Sequence, residues 1–427
     1  MLTVHLRIND AATAKPTPVR LRITDAAGTF FPPLGRFAEF ATDRNEDVGG
    51  HLLLNGEHWC YIDGSCEVPL PSGVPLRIQA TKGPEYTPLD ETITLGAGQI
   101  SMRFAIERWI DMRAKRWYSG DSRCHFLSPH EALLEAAAEA LDVVNLLAVE
   151  QSIASNDGKT YRTAPNLTAF SGQTAAMDAY DRRIAVNTLN AHPVLGKVGL
   201  LYSHRPVFPL TFGGDETDDW SICDWCDQCH RKGGLTVWVD AFRETAGPIG
   251  GETLVAAILG KLDAIEITSF SQPLMEWIYR LWNAGFPIPL LGGSGKDRNT
   301  IPLGAMRTYA QLSPREPFTF KSWIEAVRAG RTFVTNGPLR VEEFEPVTGS
   351  GWRASRFIGP GGAFAHTSPE GVRVEETHSP EVDASLVRAV ESTRGWIETL
   401  GRFEQPKRKQ NLLDRCREAL ARLGATL

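Results

Sequence analysis

Residues 128–149 read SPHEALLEAAAEALDVVNLLAV, and the local structure expected of this stretch decides the fold class of the chain. Ser128 can cap the amino end of a helix, Pro129 suits the first helical position, and Glu131 can complete a capping box. The Ala- and Leu-rich segment that follows predicts the helix itself. The apolar run at 143–149 comes next, and it is typical of a parallel strand that is buried on both faces. A helix that leads directly into a buried strand indicates an α/β fold.

The same order of helix and strand recurs further along the chain. Helices are predicted at residues 220–231, 252–262, 273–284 and 320–330, and each precedes a predicted strand, at 235–239, 263–267, 288–293 and 332–335. Such repetition builds an α/β layer or barrel in which the carboxyl ends of the strands meet on one face. The sequence therefore predicts that the active-site loops lie at those strand ends.

The segments on either side show different patterns. Residues 1–107 alternate apolar and polar positions in about seven short runs separated by turn signals, which predicts an antiparallel β-sandwich. The last part is predicted to contain a short strand near 364–369 and two helices, at 383–402 and 406–424. We therefore expect a multi-domain β plus α/β fold with three parts, at 1–107, 115–340 and 341–427. The role of the sandwich is left open between scaffold, docking surface and carbohydrate contact.

Composition limits the classes of partner. The formal net charge is −6, so no overall positive field attracts the chain to nucleic acid or to an anionic membrane. No apolar run approaches the ~20 residues that a membrane-spanning helix needs. The first residues, MLTVHLR, resemble a strand and lack the features of a signal peptide, and seven cysteines fit a reducing compartment. We expect a cytoplasmic protein with a small-molecule substrate or ligand, and we leave its oligomeric state open.

Polar residues that suit catalysis or binding follow most of the predicted strands. They are Asp121, Arg123 and His125 after the first strand, Glu150 after the second, Asn187 and Asn190 after 183–186, His204 and Arg205 after 198–202, Asp240 after 235–239, Glu266 near the end of its strand, and Ser294, Lys296, Asp297 and Arg298 after 288–293. Carboxylates and histidines gathered on one face can hold a metal ion or transfer protons. Any one of them alone is more often a helix cap or a turn former, so the prediction depends on their recurrence.

Several stretches of the chain resemble the PHP (polymerase and histidinol phosphatase) superfamily. The matching stretches are GDSRCHF at 120–126, GGLTVWVD at 233–240, GGSGKD at 292–297, RTY at 307–309 and GRTFVTNGP at 330–338. The last two resemble the end of the CehA/McbA-type branch, which is named for a carbamate hydrolase and a peptide-processing protein. The resemblance covers roughly residues 115–340. It implies a PHP-like (β/α)7 barrel whose site binds two or three metal ions through histidine and carboxylate ligands.

The chain departs from the family motifs at the metal-binding positions. Arg123 replaces the first histidine of His-x-His, and residues 147–149, LAV, replace an expected Thr-Asp-His. A later histidine position is occupied by Asp240, and the Gly-Ser-Asp-x-His stretch holds Gly295 and Asp297. The histidine-rich metal site of the family is therefore degenerate in this sequence.

Two outcomes of this degeneracy are open. Because aspartate and histidine both bind metals, the resemblance still implies a single site with His125, Asp240 and Asp297 as ligands, for Mn²⁺, Mg²⁺ or Zn²⁺. Alternatively, no metal binds, because the Arg123 guanidinium fills the place of the cation. It would then pair with Asp121, Asp240 or Asp297.

The first functional hypothesis is a PHP-like metal-dependent hydrolase that acts on an amide, carbamate or ester bond, with weakened or lost activity. The candidate catalytic residues are Glu150 or Glu266 as the base, with Arg123 and Lys296. The candidate ligand-binding residues are Asp121, His204, Arg205, Ser294 and Arg298. The alternative is a catalytically inactive PHP-like protein, a pseudoenzyme, that binds a small anionic, sugar or peptide ligand in the former active-site cleft. A third hypothesis assigns the sandwich a role in assembly.

Residues 226–230, CDQCH, match the pattern of covalent haem attachment. Cys223, Cys226 and Cys229 lie three residues apart, on one stripe of a predicted amphipathic helix. We expect this stripe to face the core, with haem or metal binding as the less favoured alternatives.

Overall fold

The computed structural model of the chain describes residues 1–44, 47–154, 158–243, 247–337, 340–346, 353–358, 365–368 and 383–425. Of the strand predicted near 364–369, only residues 365–368 belong to this described part. Among the described residues, no helix is both long and apolar enough to cross a bilayer.

The N-terminal strands of the described chain form two sheets. The strands are β1 (Leu2–Asp10), β2 (Val19–Asp25), β3 (His51–Leu54), β4 (Glu57–Ile62), β5 (Ser65–Leu70), β6 (Pro75–Thr81), β7 (Leu89–Thr94) and β8 (Ser101–Ile106). One sheet has the order β5-β1-β8 and the other the order β3-β4-β2-β6-β7. The inward-facing residues of β1 and β2, such as Leu6 and Leu21, lie in one shared hydrophobic core. This part of the chain is therefore all β, as its alternating sequence predicts.

One pairing in these sheets differs from the antiparallel sandwich that we expected. β1 and β8 pair in parallel, with Leu6 opposite Met102. A parallel pair needs a long crossover connection between its strands, and the chain between β1 and β8 contains all the other N-terminal strands. The separation of the two strands in sequence therefore permits this pairing.

The rest of the described chain is built around one large mixed sheet. Its strands and their neighbours are β9 (Trp117–Cys124), β10 (Val143–Val149), β11 (Gln151–Ala154), β12 (Thr160–Thr163), β13 (Met177–Ala179), β14 (Arg182–His192), β15 (Gly196–Leu201), β16 (Leu235–Val239), β17 (Ala264–Ile267), β18 (Leu290–Gly292), β19 (Arg307–Gln311), β20 (Thr332–Thr335), β21 (Arg340–Pro346), β22 (Arg353–Ile358) and β23 (Ala365–Thr367). The strand order is β18-β17-β16-β15-β14-β10-β9-β19-β20-β23, and β13 pairs with β14. β8 ends at Ile106 and β9 begins at Trp117, so the predicted limits at residues 107 and 115 both fall between these strands, and the division into parts stays a prediction.

Helices pack against this sheet and against one another. They are α1 (Pro129–Ala138), α2 (Ile222–Arg231), α3 (Gly251–Ile258), α4 (Gln272–Asn283), α5 (Phe320–Arg328), α6 (Ala384–Thr399) and α7 (Pro406–Arg422). The predicted capping box of α1 is confirmed, because Ser128 Oγ accepts from Glu131 N and Glu131 Oε2 accepts from Ser128 N. The stretch that suggested an α/β fold thus forms a capped helix followed by the buried strand β10.

β18, at one end of the large sheet, approaches β19 and β20, which lie near the other end. The backbone N of Gly292 in β18 donates to Thr308 Oγ1 in β19 at 2.6 Å. Thr332 Oγ1 in β20 donates to the carbonyl of Leu290 in β18 at 3.0 Å. These side-chain bonds draw the sheet into a nearly closed barrel with an apolar interior.

The barrel is not a regular (β/α)7 barrel. β15 is antiparallel to both β14 and β16, and β19 is antiparallel to both β9 and β20. A short turn joins β14 to β15, so no helix lies between them. Because β14 extends to His192, the predicted strand-end residues Asn187 and Asn190 lie inside this strand.

The outer helices confirm the orientation predicted for the cysteine stripe. Cys223, Cys226 and Cys229 on α2 are fully buried, in a core that α3, α6 and α7 share. His230 forms a bond with Asp263 instead, with 2.8 Å between Nε2 and Oδ2. The α6 and α7 helices occupy the two stretches predicted as helices in the tail.

Candidate functional site

Arg123 lies at the centre of a group of charged side chains at the carboxyl ends of the strands. It belongs to the end of β9, while Glu266 lies in β17 and Asp240 directly follows β16. Arg123 Nε donates to Glu266 Oε2 at 2.8 Å, and Arg123 Nη2 donates to Asp240 Oδ1 at 3.2 Å. The structure therefore brings together three of the residues that the strand-end pattern selected.

Burial sets the charge states in this group. The Glu266 side chain is only 1% exposed, and burial raises its pKa to about 7, although the Arg123 guanidinium opposes this shift. Burial also disfavours the ionised form of Asp240, but Arg123 and Lys197 together hold the pKa of Asp240 below its usual value. Lys197 Nζ lies 2.7 Å from Asp240 Oδ2. Asp240 is thus a carboxylate that is paired with both Arg123 and Lys197, whereas Glu266 is paired with Arg123 alone among these cations.

Asp121 joins three segments of main chain beneath the Arg123 group through hydrogen bonds to backbone amides. Its Oδ1 accepts from Ser294 N and from Arg123 N, both at 3.0 Å, and its Oδ2 accepts from Gly304 N at 2.8 Å. Burial raises the pKa of Asp121, and these hydrogen bonds oppose the rise. Both carboxylate oxygens of Asp121 are therefore engaged by main-chain amides.

Two glycines leave the space that the ion pair needs. A Cβ on Gly293 would lie 2.6 Å from Glu266 Oε1, and one on Gly295 would lie 3.2 Å from Arg123 Nη2. Gly295 also has a φ of +65°, which side chains rarely adopt. The segment after β18 can approach β9 closely for this reason, and His125 N donates to the carbonyl of Lys296 at 2.7 Å.

His125 lies beside this group but makes a different contact. Its Nδ1 lies 2.8 Å from the carbonyl oxygen of Leu147, at the end of β10. Burial, helped by the nearby Arg123 charge, lowers the pKa of His125 to about 4. The imidazole is therefore neutral at neutral pH.

Asp297 and Lys296 point to other partners. Arg44, from the N-terminal part of the chain, donates to Asp297 Oδ2 at 2.7 Å, and Arg298 Nε donates to Asp297 Oδ1 at 2.9 Å. Lys296 Nζ lies 3.4 Å from Glu135 Oε2 on α1, and both of these side chains are completely buried. The charge of Asp297 is therefore balanced by Arg44 and Arg298, which do not belong to the Arg123 group. The side chain of Lys296 points away from the Arg123 group.

The remaining predicted residues lie apart from this group. Within the described part of the chain, Glu150 bonds to Thr211 and pairs with Arg162. His204 and Arg205 are exposed in the turn after β15. The structure thus divides the candidates into an assembled cluster around Arg123 and residues that lie apart from it, some buried and some exposed.

An open cavity of about 590 Å³ lies above the cluster. Asp240 and Glu266 line it together with Phe242, Arg243 and Trp277. The Phe242 and Trp277 rings stack with centroids 5.2 Å apart and 12° between their planes. The strand-end pattern did not select these two rings, Arg243 or Lys197. Phe242 and Arg243 lie two and three residues after the end of the site segment at Asp240. A search that extended three residues beyond Asp240 would therefore have included them.

The donor set does not fit a divalent metal ion. His125, Asp240 and Asp297, the predicted ligands, each have another partner, and the Arg123 guanidinium lies between Asp240 and Glu266. A second cation at that position would meet the fixed charges of Arg123 and Lys197 at close range. Among the described residues, no group of three or more His, Cys, Asp or Glu side chains is placed to hold a metal ion.

Comparison with known proteins gives distant structural likenesses. The chain matches no protein family, and it matches none of the curated proteins. It is similar to the crystal structure of PsfC from Pseudomonas syringae PB-5123, with 14% identity and a TM-score of 0.34 over 49% of this chain and 88% of that one. It is also similar to the lesion-specific endonuclease PfuEndoQ from Pyrococcus furiosus, with 12% identity and a TM-score of 0.29 over 50% of this chain and 56% of that one. The PHP resemblance and the CehA/McbA-type branch remain predictions from the sequence motifs.

Proposed function

We propose that this chain is a PHP-like protein that binds a small anionic ligand, without a metal ion, in the cavity above Arg123. The observation that carries this proposal is the position of the Arg123 guanidinium, 2.8 Å from Glu266 and 3.2 Å from Asp240. In the family motif this position is a metal-binding histidine. A permanent protein cation in place of a metal ion supports binding of an anion and supplies no metal-activated water.

The balance of charge around the cavity supports an anionic ligand. The carboxylates of Asp240 and Glu266, which line the cavity, are paired with Arg123, Lys197 and Arg243, and of these three cations Arg243 also lines the cavity. With its pKa raised to about 7 by burial, Glu266 is only partly ionised at neutral pH. Arg243 is 70% exposed and lies 3.8 Å from Asp240, so its guanidinium has donors available for a ligand. An arriving carboxylate or phosphate would accept hydrogen bonds from this guanidinium.

The apolar side of the cavity indicates the other half of the ligand. One side of the cavity is apolar and is formed by the stacked rings of Phe242 and Trp277 and by the side chain of Leu274. A volume of about 590 Å³ suits a molecule of modest size. We therefore propose an organic anion with an apolar or ring-shaped portion as the ligand class.

Binding of simple aromatic anions tests this proposal. Benzoate, phenyl phosphate and neutral benzamide would be titrated by ligand-observed NMR, and the two anions should bind at least about tenfold more tightly than benzamide. Arg243→Ala should weaken anion binding about tenfold, whereas Arg231→Ala, at an exposed arginine that ends α2, should not. Equal binding of all three compounds, or an unaffected Arg243→Ala variant, would contradict the proposal.

The competing hypothesis, metal-dependent hydrolysis of an amide, carbamate or ester, makes a separate prediction. It requires about one equivalent of bound divalent metal and turnover that depends on His125, Asp240 and Asp297. A screen of esterase, phosphatase and amidase substrates with added Mn²⁺ distinguishes the two hypotheses. Turnover that is lost in Asp297→Ala would overturn the metal-free proposal.

A further inference from the structure

A second, larger cavity lies between the N-terminal sheets and the barrel. Its volume is about 650 Å³, and none of its lining residues borders the cavity above Arg123. Tyr86 and Trp109 line it from the N-terminal side, and Leu303, Gly304 and Arg307 line it from the barrel side. We propose that this cavity is a binding site for a ring-bearing organic acid. The proposal is independent of the ligand proposed for the Arg123 cavity.

The wall of this cavity is fixed by close backbone contact. Gly83 has a φ of +64°, and a Cβ on it would lie 2.1 Å from the carbonyl oxygen of Glu139, the residue that directly follows α1. Both Gly83 and Glu139 line the cavity. The two parts of the chain therefore touch main chain to main chain beside the cavity.

The polar groups of the cavity carry an excess of positive charge. Arg20 Nη1 donates to Glu139 Oε1 at 2.8 Å, and Arg307 Nη1 donates to the Glu139 carbonyl at 3.0 Å. The charged residues among the described lining are thus two arginines and one glutamate, and Arg307 is only 4% exposed. A buried positive charge without a matching negative charge is costly, and an acid group on a ligand would offset this cost.

One donor in this wall lacks a partner. Arg20 Nε is buried and has no hydrogen-bond partner among the described residues. Its guanidinium lies 5.3 Å from the centre of the Trp59 ring, so the orientation of Arg20 is held by both Trp59 and Glu139. The arginine is therefore positioned before any ligand arrives.

The apolar residues fit a ring. Trp109 is 39% exposed, and its Nε1 donates to the Pro84 carbonyl at 2.9 Å, which fixes the indole at the cavity wall. Tyr86, Pro88 and Leu303 add further apolar surface. Ligand pockets of this kind combine a mostly apolar lining with a few polar groups, and their volumes bracket the one found here.

The fluorescent dye anilinonaphthalene sulfonate is a ring-bearing acid and serves as the probe. Phenylnaphthylamine has similar rings without the acid group. We expect the full chain to bind the sulfonate at least about tenfold more tightly than the amine. Glu139→Gln removes the competing negative charge and should tighten binding of the sulfonate severalfold, with no change for the amine.

Filling the cavity locates the probe. Ala305 lines the cavity and is exposed, so Ala305→Trp should weaken binding of the sulfonate about tenfold or more without unfolding the chain. Ala26→Trp, at an exposed alanine in a turn of the N-terminal part, is the matched control and should bind like the wild type. Thr87→Trp, at a second exposed lining residue, repeats the test if Ala305→Trp melts at a lower temperature than the wild type.

Both titrations are repeated in the Arg243→Ala background, which isolates this cavity from the one above Arg123. The loss caused by Ala305→Trp should persist there, whatever the effect of Arg243→Ala alone. Unchanged binding in both filled variants, or equal affinity for the sulfonate and the amine, would overturn the proposal.

Discussion

Arg123 and Glu266 form a buried ion pair, with Nε and Oε2 2.8 Å apart, in the stretch whose sequence resembles the His-x-His motif. The pair explains how a carboxylate can be buried at this face without a metal ion. Because Arg123 is the cation of this pair, substituting it by histidine would change both the charge of the site and the number of side chains that can bind a metal ion.

The first prediction concerns restoring the motif. Arg123→His should create a site for one divalent metal ion, because it removes the fixed cation and adds an imidazole near His125, Asp240 and Glu266. Elemental analysis after dialysis against Zn²⁺ or Mn²⁺ should give close to one equivalent for Arg123→His. The wild type should hold less than about a tenth of an equivalent.

Arg123→Ala is the control for this experiment, since it removes the cation without supplying a ligand. It should bind metal more weakly than Arg123→His. A wild-type protein that already holds a full equivalent, lost in His125→Ala, would show that our metal-free interpretation is wrong.

The second prediction concerns the buried pair between Lys296 and Glu135. Lys296→Met should lower the free energy of unfolding by about 3–5 kcal/mol, because it leaves the buried Glu135 carboxylate without its cation. The double variant Lys296→Met with Glu135→Gln should recover most of this loss. Urea unfolding followed by circular dichroism measures both variants, and equal losses in the two would contradict a pairing role.

The third prediction is a pH dependence at the contact between the N-terminal part and the barrel. Glu85 accepts from Tyr309 Oη at 3.0 Å, and burial, with a further contribution from Asp142, raises its pKa to about 7 against the opposing charge of Arg108. The folded chain therefore holds a proton that the unfolded chain releases near pH 4.5. The contribution of this proton to stability is complete below pH 4.5 and is lost as the pH rises through 7.

Glu85→Gln removes this titration. The stability of the wild type relative to Glu85→Gln should fall by about 3 kcal/mol between pH 4.5 and pH 8. Urea midpoints measured across this range provide the comparison. A difference that does not change with pH would show that the Glu85 carboxyl titrates normally.

The fourth prediction concerns a glycine. Gly293→Ala should destabilise the fold by about 1–3 kcal/mol, because its methyl group would lie 2.5 Å from Ser122 Oγ and 2.6 Å from Glu266 Oε1. Gly395→Ala is the matched control, since a Cβ there meets nothing within 4 Å and the residue lies inside α6. That change should stabilise the chain slightly, by up to about 1 kcal/mol. Thermal melting of both variants gives the comparison, and equal effects would rule out the crowding argument.

The parts of the fold that the sequence predicts well are those with strong local signals. The capping box at Ser128 and the apolar run of β10 are examples, since helix caps and buried runs depend on neighbours in sequence. β5 is harder to predict, because Pro69 interrupts its pattern. Proline is tolerated there because β5 is an edge strand, a position that no local pattern reveals.

The pairing of charges could not be predicted in the same way. Arg44 and Asp297 are 253 residues apart in sequence, yet they form a hydrogen-bonded ion pair. Lys197 reaches Asp240 because β15 and β16 are antiparallel, whereas strict helix and strand alternation leads one to expect parallel strands. The expectation that residues at the carboxyl ends of strands lie together therefore selected Arg123, Asp240 and Glu266 as neighbours. It gave no information on which cations, such as Lys197, pair with the carboxylates.

Asp121 has a consequence for how related sequences should be interpreted. Its two oxygens accept three main-chain N–H groups, from Arg123, Ser294 and Gly304, and the last of these lines the cavity between the sheets and the barrel. Asparagine, although nearly identical in shape, would direct an amide N–H₂ against one of these donors. The position thus selects for an acid through its acceptor count alone. Homologues are expected to keep aspartate here whether or not they bind a metal ion, so its presence is no guide to which of them are enzymes.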